Sequence, residues 1–519
     1  MTKPPASGCL VDSSSAATRA PVRALPAHTD RPTSAVTPDG RELYAQPVVR
    51  RAAATVAVAL VVLAAGVRGW ALGADPLWMD EAATVRLLHG DLWDLLDPAR
   101  HFENTPPLYY LLMHGWLATV GSIDSDTSLR TPSAIIGVAT VLIGGWVARQ
   151  IAGRFILFPA MTMGLLAVDW AAVYFSREAR AYALFLALAT ASLGLAVALV
   201  RRPTGFRAIL LAVALAATWW THYSTVAVVL ALNVGTMVAL LPAHAGTRRR
   251  ALLGWWAAAQ ALLLVLIAPT LPWLFGAADG LRGDLDRSLG ASIGHLGTYA
   301  WLFGTSWALA GLALAALLGL IRGRCEPWIR AMLLALAVLP VGVPLVAWLA
   351  GGPAFFPRHA VASVAAISLL AALGVTTVAN PTWRRTAAVG LLAWIAGGTF
   401  AARDRLAKPP MRDAARYVAQ SAESGDTVVV SLMMAGWSFD RYFPRLDTRR
   451  RNYDDFTVRA VARGGPDIRT IWLVLCQNPH TDAHLFAGSP MRVTAERRFG
   501  SIRVLRTQRI TAPVGQSVQ

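Results

Sequence analysis

From Arg51 to about residue 403 the chain alternates long apolar runs with short polar joints, and then it changes character. Twelve apolar segments stand out, at about 52–73, 106–121, 131–150, 155–175, 180–200, 206–221, 223–242, 251–275, 297–321, 329–350, 358–379 and 384–403. A helix needs about 20 apolar residues to cross the hydrocarbon core of a bilayer. The runs 254–275, 297–321, 331–351, 360–379 and 386–402 contain no Asp, Glu, Lys or Arg. This pattern predicts an all-α polytopic membrane protein with about 11–13 transmembrane helices. The segment 106–121 is the weakest, because it is short and opens with Pro106-Pro107. Twelve crossings would return the chain to the side on which it began, and eleven would leave it on the other.

Residues 404–519 are polar and mixed. Within them "MRDAARYVAQSA" has helical spacing, while "DTVVVSL", "IRTIWLVLC" and "FGSIRVLR" read as strands. They predict a small C-terminal α/β domain. Residues 1–50 are rich in Pro, Ser, Thr and Ala without periodicity and read as a disordered cytoplasmic tail. The apolar pattern starts only at Arg51, late for a cleaved signal peptide, so the first run is expected to be a retained helix. The expected domains are therefore 1–50, 51–403 and 404–519.

Composition agrees: 55% of the 519 residues are hydrophobic and only 15% are charged, the balance of a membrane protein. A net charge of +18 raises the question of nucleic acid. Much of it lies in the joints between apolar runs, where topology signals and anionic headgroups account for it, so membrane lipids are the expected partner and nucleic acid is not. Arg50-Arg51, "ARQIAGR" (148–154), "RRPTGFR" (201–207), "TRRR" (247–250), "IRGR" (321–324) and "WRR" (383–385) mark the cytoplasmic side. The joints with Asp80-Glu81, "SREARAY" (176–182), "THYS" (221–224), 276–296 and "GGPAFFPRH" (351–359) then share the extracytoplasmic face with the C-terminal domain. Lysine occurs only at Lys3 and Lys408. Cys9, Cys325 and Cys476 form no CxxC or Cys/His cluster, so neither a zinc site nor a disulfide framework is indicated.

Four polar clusters fall on the expected outer face. Asp80-Glu81 follow the first apolar run and precede the amphipathic "ATVRLLHGDLWDLL". "HFENTPPLYYLL" holds Glu103 before a Pro-Pro turn, with Tyr109 and Tyr110 at the interface. In "DWAAVYFSREARAYAL", Asp169, Arg177, Glu178, Arg180 and Tyr182 interrupt two apolar runs. Arginines are expected on the cytoplasmic side, whereas ionisable groups at membrane depth on the other face are costly and usually line a cavity. Arg177 and Arg180, three apart on a helix, have the spacing to grip one phosphate. "FFPRHA" carries Arg358. Each cluster alone has a bland reading: an acidic loop, an aromatic belt, an Arg–Glu turn pair, a snorkelling Arg and, for His222, a structural imidazole. Together they predict a site for a phosphate-bearing substrate at headgroup level.

The order "WMDEAAT", "NTPPLYYLLMHGWL", "LRTPSAIIGVAT", "VYFSREARAYAL", "THYS" and "FPRHAVASVAAISLL" resembles the polyprenyl-phosphate-sugar-dependent glycosyltransferases of the GT-C fold. It is most like the bacterial protein-mannosyltransferase and aminoarabinose-transferase types. The resemblance covers about 50–403. It implies a multi-pass plasma-membrane enzyme in a bacterium, acting on its extracytoplasmic face. Its donor would be a polyprenyl-phosphate mannose or arabinose-like sugar, and its acceptor a glycan, lipid or protein. By position, the family's catalytic Asp is Asp80, with Glu81 in support, and its late Arg is Arg358, followed by His359 in place of an aromatic residue. Asn104 and Thr105 stand where the family often has a cation. In relatives that hold a divalent metal, the counterparts of Glu103 and His222 approach it, so a possible metal is attached to those two residues. Chemically, Asp80 would take the acceptor hydroxyl proton, and Arg177, Arg180 and Arg358 would hold the departing phosphate. The competing readings are a transporter or lipid flippase and a non-catalytic scaffold. No repeat relates the two halves, and the charges gather near one face, not at the midplane.

Overall fold

The computed structural model describes residues 47–96, 105–152, 156–241, 247–271, 304–350, 356–403, 408–431, 433–443, 449–453, 468–476 and 491–509. Glu103, the joint 276–296 and residues 1–46 lie outside them. In chain order the helices are α1 (Pro47–Gly69), α2 (Met79–Leu88), α3 (Leu92–Leu96), α4 (Leu108–Thr119), α5 (Asp126–Ala152), α6 (Leu157–Val168), α7 (Trp170–Ser176), α8 (Tyr182–Arg201) and α9 (Gly205–Trp219). They continue as α10 (Thr225–Leu240), α11 (Thr247–Ile267), α12 (Ser306–Arg322), α13 (Pro327–Leu349), α14 (Ser363–Thr376) and α15 (Pro381–Arg403). Among the described residues, six helices are long and apolar enough to cross a membrane. One bent pair, α6 with α7, makes a seventh candidate, and α9, α10, α12 and α14 are shorter apolar helices. The chain is a multi-pass membrane protein.

The weak segment resolves into α4, whose 12 residues span about 18 Å, well short of the roughly 30 Å hydrocarbon core. Its first residue is tied to the joint before α10, Leu108 N–H donating to the Trp220 carbonyl at 3.0 Å. The loop before α2 touches the C-terminal domain directly, so the two share one face of the membrane. An even number of crossings must therefore separate them. Excluding α4 leaves ten expected segments between them, an even number.

The C-terminal domain consists of α16 (Met411–Ser421), β1 (Thr427–Ser431), α17 (Met433–Tyr442), β2 (Arg449–Tyr453), β3 (Thr470–Cys476), β4 (Met491–Phe499) and β5 (Ile502–Arg509). The strand order is β2-β1-β3-β5-β4. β1 pairs in parallel with β2 and β3, while β5 pairs antiparallel with β3 and β4. β1 and β3 are apolar throughout because they are buried on both faces, as parallel strands usually are. β4 is an edge strand, exposed along most of its length, and its Arg and Glu residues hide it from an alternation rule. The stretch "FGSIRVLR" spans the β4–β5 turn, with Gly500 at φ 52°.

Without water to drive apolar faces together, membrane helices associate through close backbone approach at small residues. Gly319 on α12 and Gly374 on α14 are that device. A Cβ on Gly319 would collide with the Leu370 carbonyl oxygen, and one on Gly374 with the Ala315 carbonyl oxygen. Gly319→Val or Gly374→Val should therefore lower the melting temperature in detergent, by the equivalent of about 1–3 kcal/mol. Gly390→Val, in open space on α15, should leave it unchanged.

Candidate active site

Asp80 and Glu81 sit in the first turn of α2, where carboxylates suit the positive end of the helix dipole. Successive helix residues point about 100° apart, so the pair divides. Glu81 turns inward and is fully buried. Arg130 grips it with two hydrogen bonds, Nε to Oε1 and Nη2 to Oε2, each 2.7 Å. The Ala179 N–H donates to Oε1 at 2.9 Å, and the Lys408 Nζ donates to Oε2 at 2.8 Å. The remaining Arg130 donors go to the carbonyls of Leu72, Asp75 and Pro76, binding the loop before α2 to its first turn. Glu178, also buried, lies 3.7 Å from the same Lys408. Burial alone would raise the Glu81 carboxyl, but Lys408 and Arg130 outweigh it and hold Glu81 low. At Glu178 burial dominates, opposed by Lys408 and reinforced by Glu81, and pushes the carboxyl up to about 7.

Asp80 is also buried and turns toward Arg358. Its Oδ2 accepts from the Arg358 Nη1 at 2.9 Å, and the Arg358 side chain keeps 30% of its surface exposed. Behind the pair, the buried Arg180 donates to the Asp80 carbonyl and to the Tyr110 hydroxyl, both at 3.2 Å. The Thr84 hydroxyl donates to the Ala179 carbonyl at 2.9 Å, fastening α2 to the Arg180 loop. Aromatic rings complete the surroundings. The Arg358 guanidinium lies 4.5 Å over the Phe356 ring. His222 stacks on Phe185 at 5.0 Å and lies 5.5 Å from His359 and 5.9 Å from Tyr182. Burial, with Arg358 and Arg180 nearby, pushes His222 down to about 3, so its imidazole is neutral. Its Nδ1 accepts from the Ser224 N–H at 3.1 Å, which puts the ring proton on Nε2.

A break at Asp169 brings the arginine loop to this place. α6 and α7 meet at 55°, and Asp169 caps α7 by accepting the Ala172 N–H at 3.0 Å. The exposed end of α6 is satisfied in turn. Arg68 donates to the Leu166 and Ala167 carbonyls at 2.8 and 3.0 Å, and Thr399 donates to the Val168 carbonyl at 2.6 Å. Arg177 then folds back over the end of α1, donating to the carbonyls of Val67, Arg68, Trp70 and Ala71.

Of the expected site residues, Asp80, Arg180, Tyr182, His222 and Arg358 come together around the Asp80–Arg358 pair. Glu81 and Glu178 lie beneath it in a buried ionic cluster. Asp169 is a helix cap, Arg177 covers a helix end, and Tyr109 shares a 2.9 Å hydrogen bond with Ser133. Its neighbour Tyr110 is the tyrosine that meets Arg180. Sequence reasoning missed Arg130, Lys408 and Tyr110. Lys408 did carry a signal, as one of two lysines in a chain rich in arginine. Among the described residues, no group of three or more His, Cys, Asp or Glu could hold a metal ion. His222 stands among cationic and aromatic groups, and Glu103, its expected partner for a metal, lies outside the described residues.

Two outcomes follow from the buried cluster. Glu81→Ala strands the Arg130 charge and should cost about 3–5 kcal/mol in stability, read as a large fall in melting temperature. Glu178 holds its proton to about pH 7 in the fold, whereas its ordinary value is 4.5. The stability from this raised value is fully present below about pH 4.5 and is lost as pH rises through about 7. Glu178→Gln should therefore flatten the fall in melting temperature between about pH 5 and 8.

No known family model matches the sequence, and no curated protein matches it. Solved structures do. ArnT from Cupriavidus metallidurans in the apo state aligns with 88% of this chain and 98% of its own, with a TM-score of 0.60 at 14% identity. The same protein bound to undecaprenyl phosphate aligns with 86% of this chain and 97% of its own, with a TM-score of 0.51 at 14% identity. The archaeal oligosaccharyltransferase AglB from Archaeoglobus fulgidus, in complex with an inhibitory peptide and a dolichol-phosphate, aligns with 82% of this chain and 70% of its own (TM-score 0.51, 12% identity). At these identities the likeness is one of architecture: the chain shares the GT-C fold of these structures.

Proposed function

We propose that the chain is an integral-membrane glycosyltransferase that moves a sugar from a polyprenyl-phosphate donor to an acceptor hydroxyl. The observation that carries this reading is the Asp80–Arg358 pair, with Arg180 behind it, close to the loop that contacts the C-terminal domain. In the reaction the bond between the anomeric carbon and the phosphate oxygen breaks as the acceptor oxygen attacks from the opposite side. Asp80 takes the acceptor proton, and the leaving phosphate keeps the electron pair. Arg358 and Arg180 stabilise the charge that develops on it. One displacement inverts the anomeric centre, so the enzyme needs a base and no nucleophile.

The resting ion pair gives the steps an order. The Arg358 Nη1 donates to the Asp80 Oδ2 and so occupies that oxygen. A donor phosphate competes for Arg358 and frees Asp80 at the moment an acceptor can use it. Tyr182 and the neutral imidazoles of His222 and His359 would donate to sugar hydroxyls without adding charge. The two fold neighbours whose structures contain undecaprenyl phosphate and dolichol-phosphate support a polyprenyl carrier. The arginine-rich joints on the opposite side support an extracytoplasmic site in a bacterial plasma membrane. A mannose or arabinose-like sugar and a glycan, lipid or protein acceptor are the classes this reading carries. The placement of Arg177 on the α1 carbonyls argues for a structural role, leaving two arginines for the phosphate.

Release of polyprenyl phosphate from labelled donor tests the assignment. Asp80→Asn should lose about 10²–10⁴-fold in turnover while remaining folded and inserted. Wild-type turnover in that variant removes Asp80 from the base role. Arg180→Ala should weaken donor binding, and an unchanged donor affinity would remove it from the phosphate site.

A further inference from the structure

Lys408 lies in the segment between α15 and α16, yet its side chain is only 8% exposed. Its ammonium lies 2.8 Å from Glu81 and 3.7 Å from Glu178. Those two acids belong to different elements. Glu81 is the neighbour of Asp80 on α2, and Glu178 precedes Arg180 by two residues in the α7–α8 loop. We propose that Lys408 is a positioning residue, one that sets the spacing between Asp80 and Arg180 by bridging Glu81 to Glu178, so that the C-terminal domain completes the transferase site. This rests on the glycosyltransferase reading above.

Charge and shape agree with that role. Arg130 and Lys408 together balance Glu81 and Glu178. Removing Lys408 takes away the cation near both acids, so Glu178 is held more firmly in its neutral form and the tie between the two acids is lost. A lysine suits the position because a compact ammonium reaches two carboxylates at different heights, while a planar guanidinium favours one in bidentate fashion. Arg130 already occupies the bidentate position on Glu81. The C-terminal domain is docked nearby by separate contacts. Arg441 Nε donates to Asp126 at 2.7 Å, Arg412 forms a 2.8 Å pair with the same carboxylate, and Ser438 hydrogen-bonds the Leu77 carbonyl. Docking and positioning can therefore be separated by mutation.

The test compares Lys408→Met, Lys408→Arg and the docking control Arg441→Ala in the full chain, reconstituted with a labelled polyprenyl-phosphate sugar. Lys408→Met should lower kcat on the order of 10–100-fold, the cost of a misplaced reacting group, with donor KM changed far less. Lys408→Arg should recover part of the loss, and Arg441→Ala should keep wild-type kcat. Hydrogen–deuterium exchange gives a readout independent of transfer: uptake at residues 78–84 should rise in Lys408→Met and not in Arg441→Ala. Unchanged kcat and uptake in Lys408→Met would overturn the proposal, as would equal losses in Arg441→Ala, which would assign the effect to docking. If Asp80→Asn proves fully active, the glycosyltransferase reading fails, and the exchange comparison still decides whether Lys408 orders the turn.

Discussion

The site depends on a buried ion pair. Glu81 and Arg130 meet through two 2.7 Å hydrogen bonds with almost no solvent contact, and three stretches of chain around Asp80 are tied to them. Arg130 holds the loop that enters α2 by three of its carbonyls. Glu81 holds the arginine loop by the Ala179 N–H and the C-terminal segment by Lys408. A buried pair of this kind contributes little net stability against an apolar equivalent, because desolvation offsets most of the attraction. Its value is positional. It fixes three separate stretches of chain to one point, and Asp80 is the adjacent residue. The same economy appears at Asp169 and Arg68, where charged side chains cap a helix broken within the membrane and thereby turn the following loop toward α2.

Much of this was legible in the sequence, for a physical reason. Crossing a bilayer requires long apolar runs, so the helices from 131 to 403 announce themselves, and the charges that interrupt them on one side are conspicuous. Asp80, Arg180 and Arg358 could be picked out because ionisable residues at that depth are rare. What could not be read was how each charge is spent. Arg177 and Arg180 look alike three residues apart, yet one covers a helix end and the other lies behind Asp80. Residues 177–181 form a bend between α7 and α8 and not a helical turn, so the helix spacing that paired the two arginines does not apply. Glu81 and Arg130 are 49 residues apart, and Lys408 follows Glu81 by 327, so their meeting is purely tertiary. In the C-terminal domain the buried β1 and β3 were visible as apolar runs, whereas β4 was not, because an exposed edge strand carries arginines where a pattern would look for valine.

On the proposed reading, the arrangement suits a donor anchored in a membrane: Arg358 and Arg180 match a lipid-linked phosphate, and the neutral imidazoles of His222 and His359 match sugar hydroxyls. The Asp80–Arg358 pair keeps a buried carboxylate and a cation together at low dielectric.

The most direct test of the central claim is the stereochemical course in wild-type protein. Purified enzyme in liposomes, supplied with a panel of polyprenyl-phosphate sugars of defined anomeric configuration and candidate acceptors, should release polyprenyl phosphate and form a product with the opposite configuration. Release with retained configuration would contradict the single displacement with Asp80 as base. Movement of intact donor across the bilayer with no release would contradict the transferase altogether.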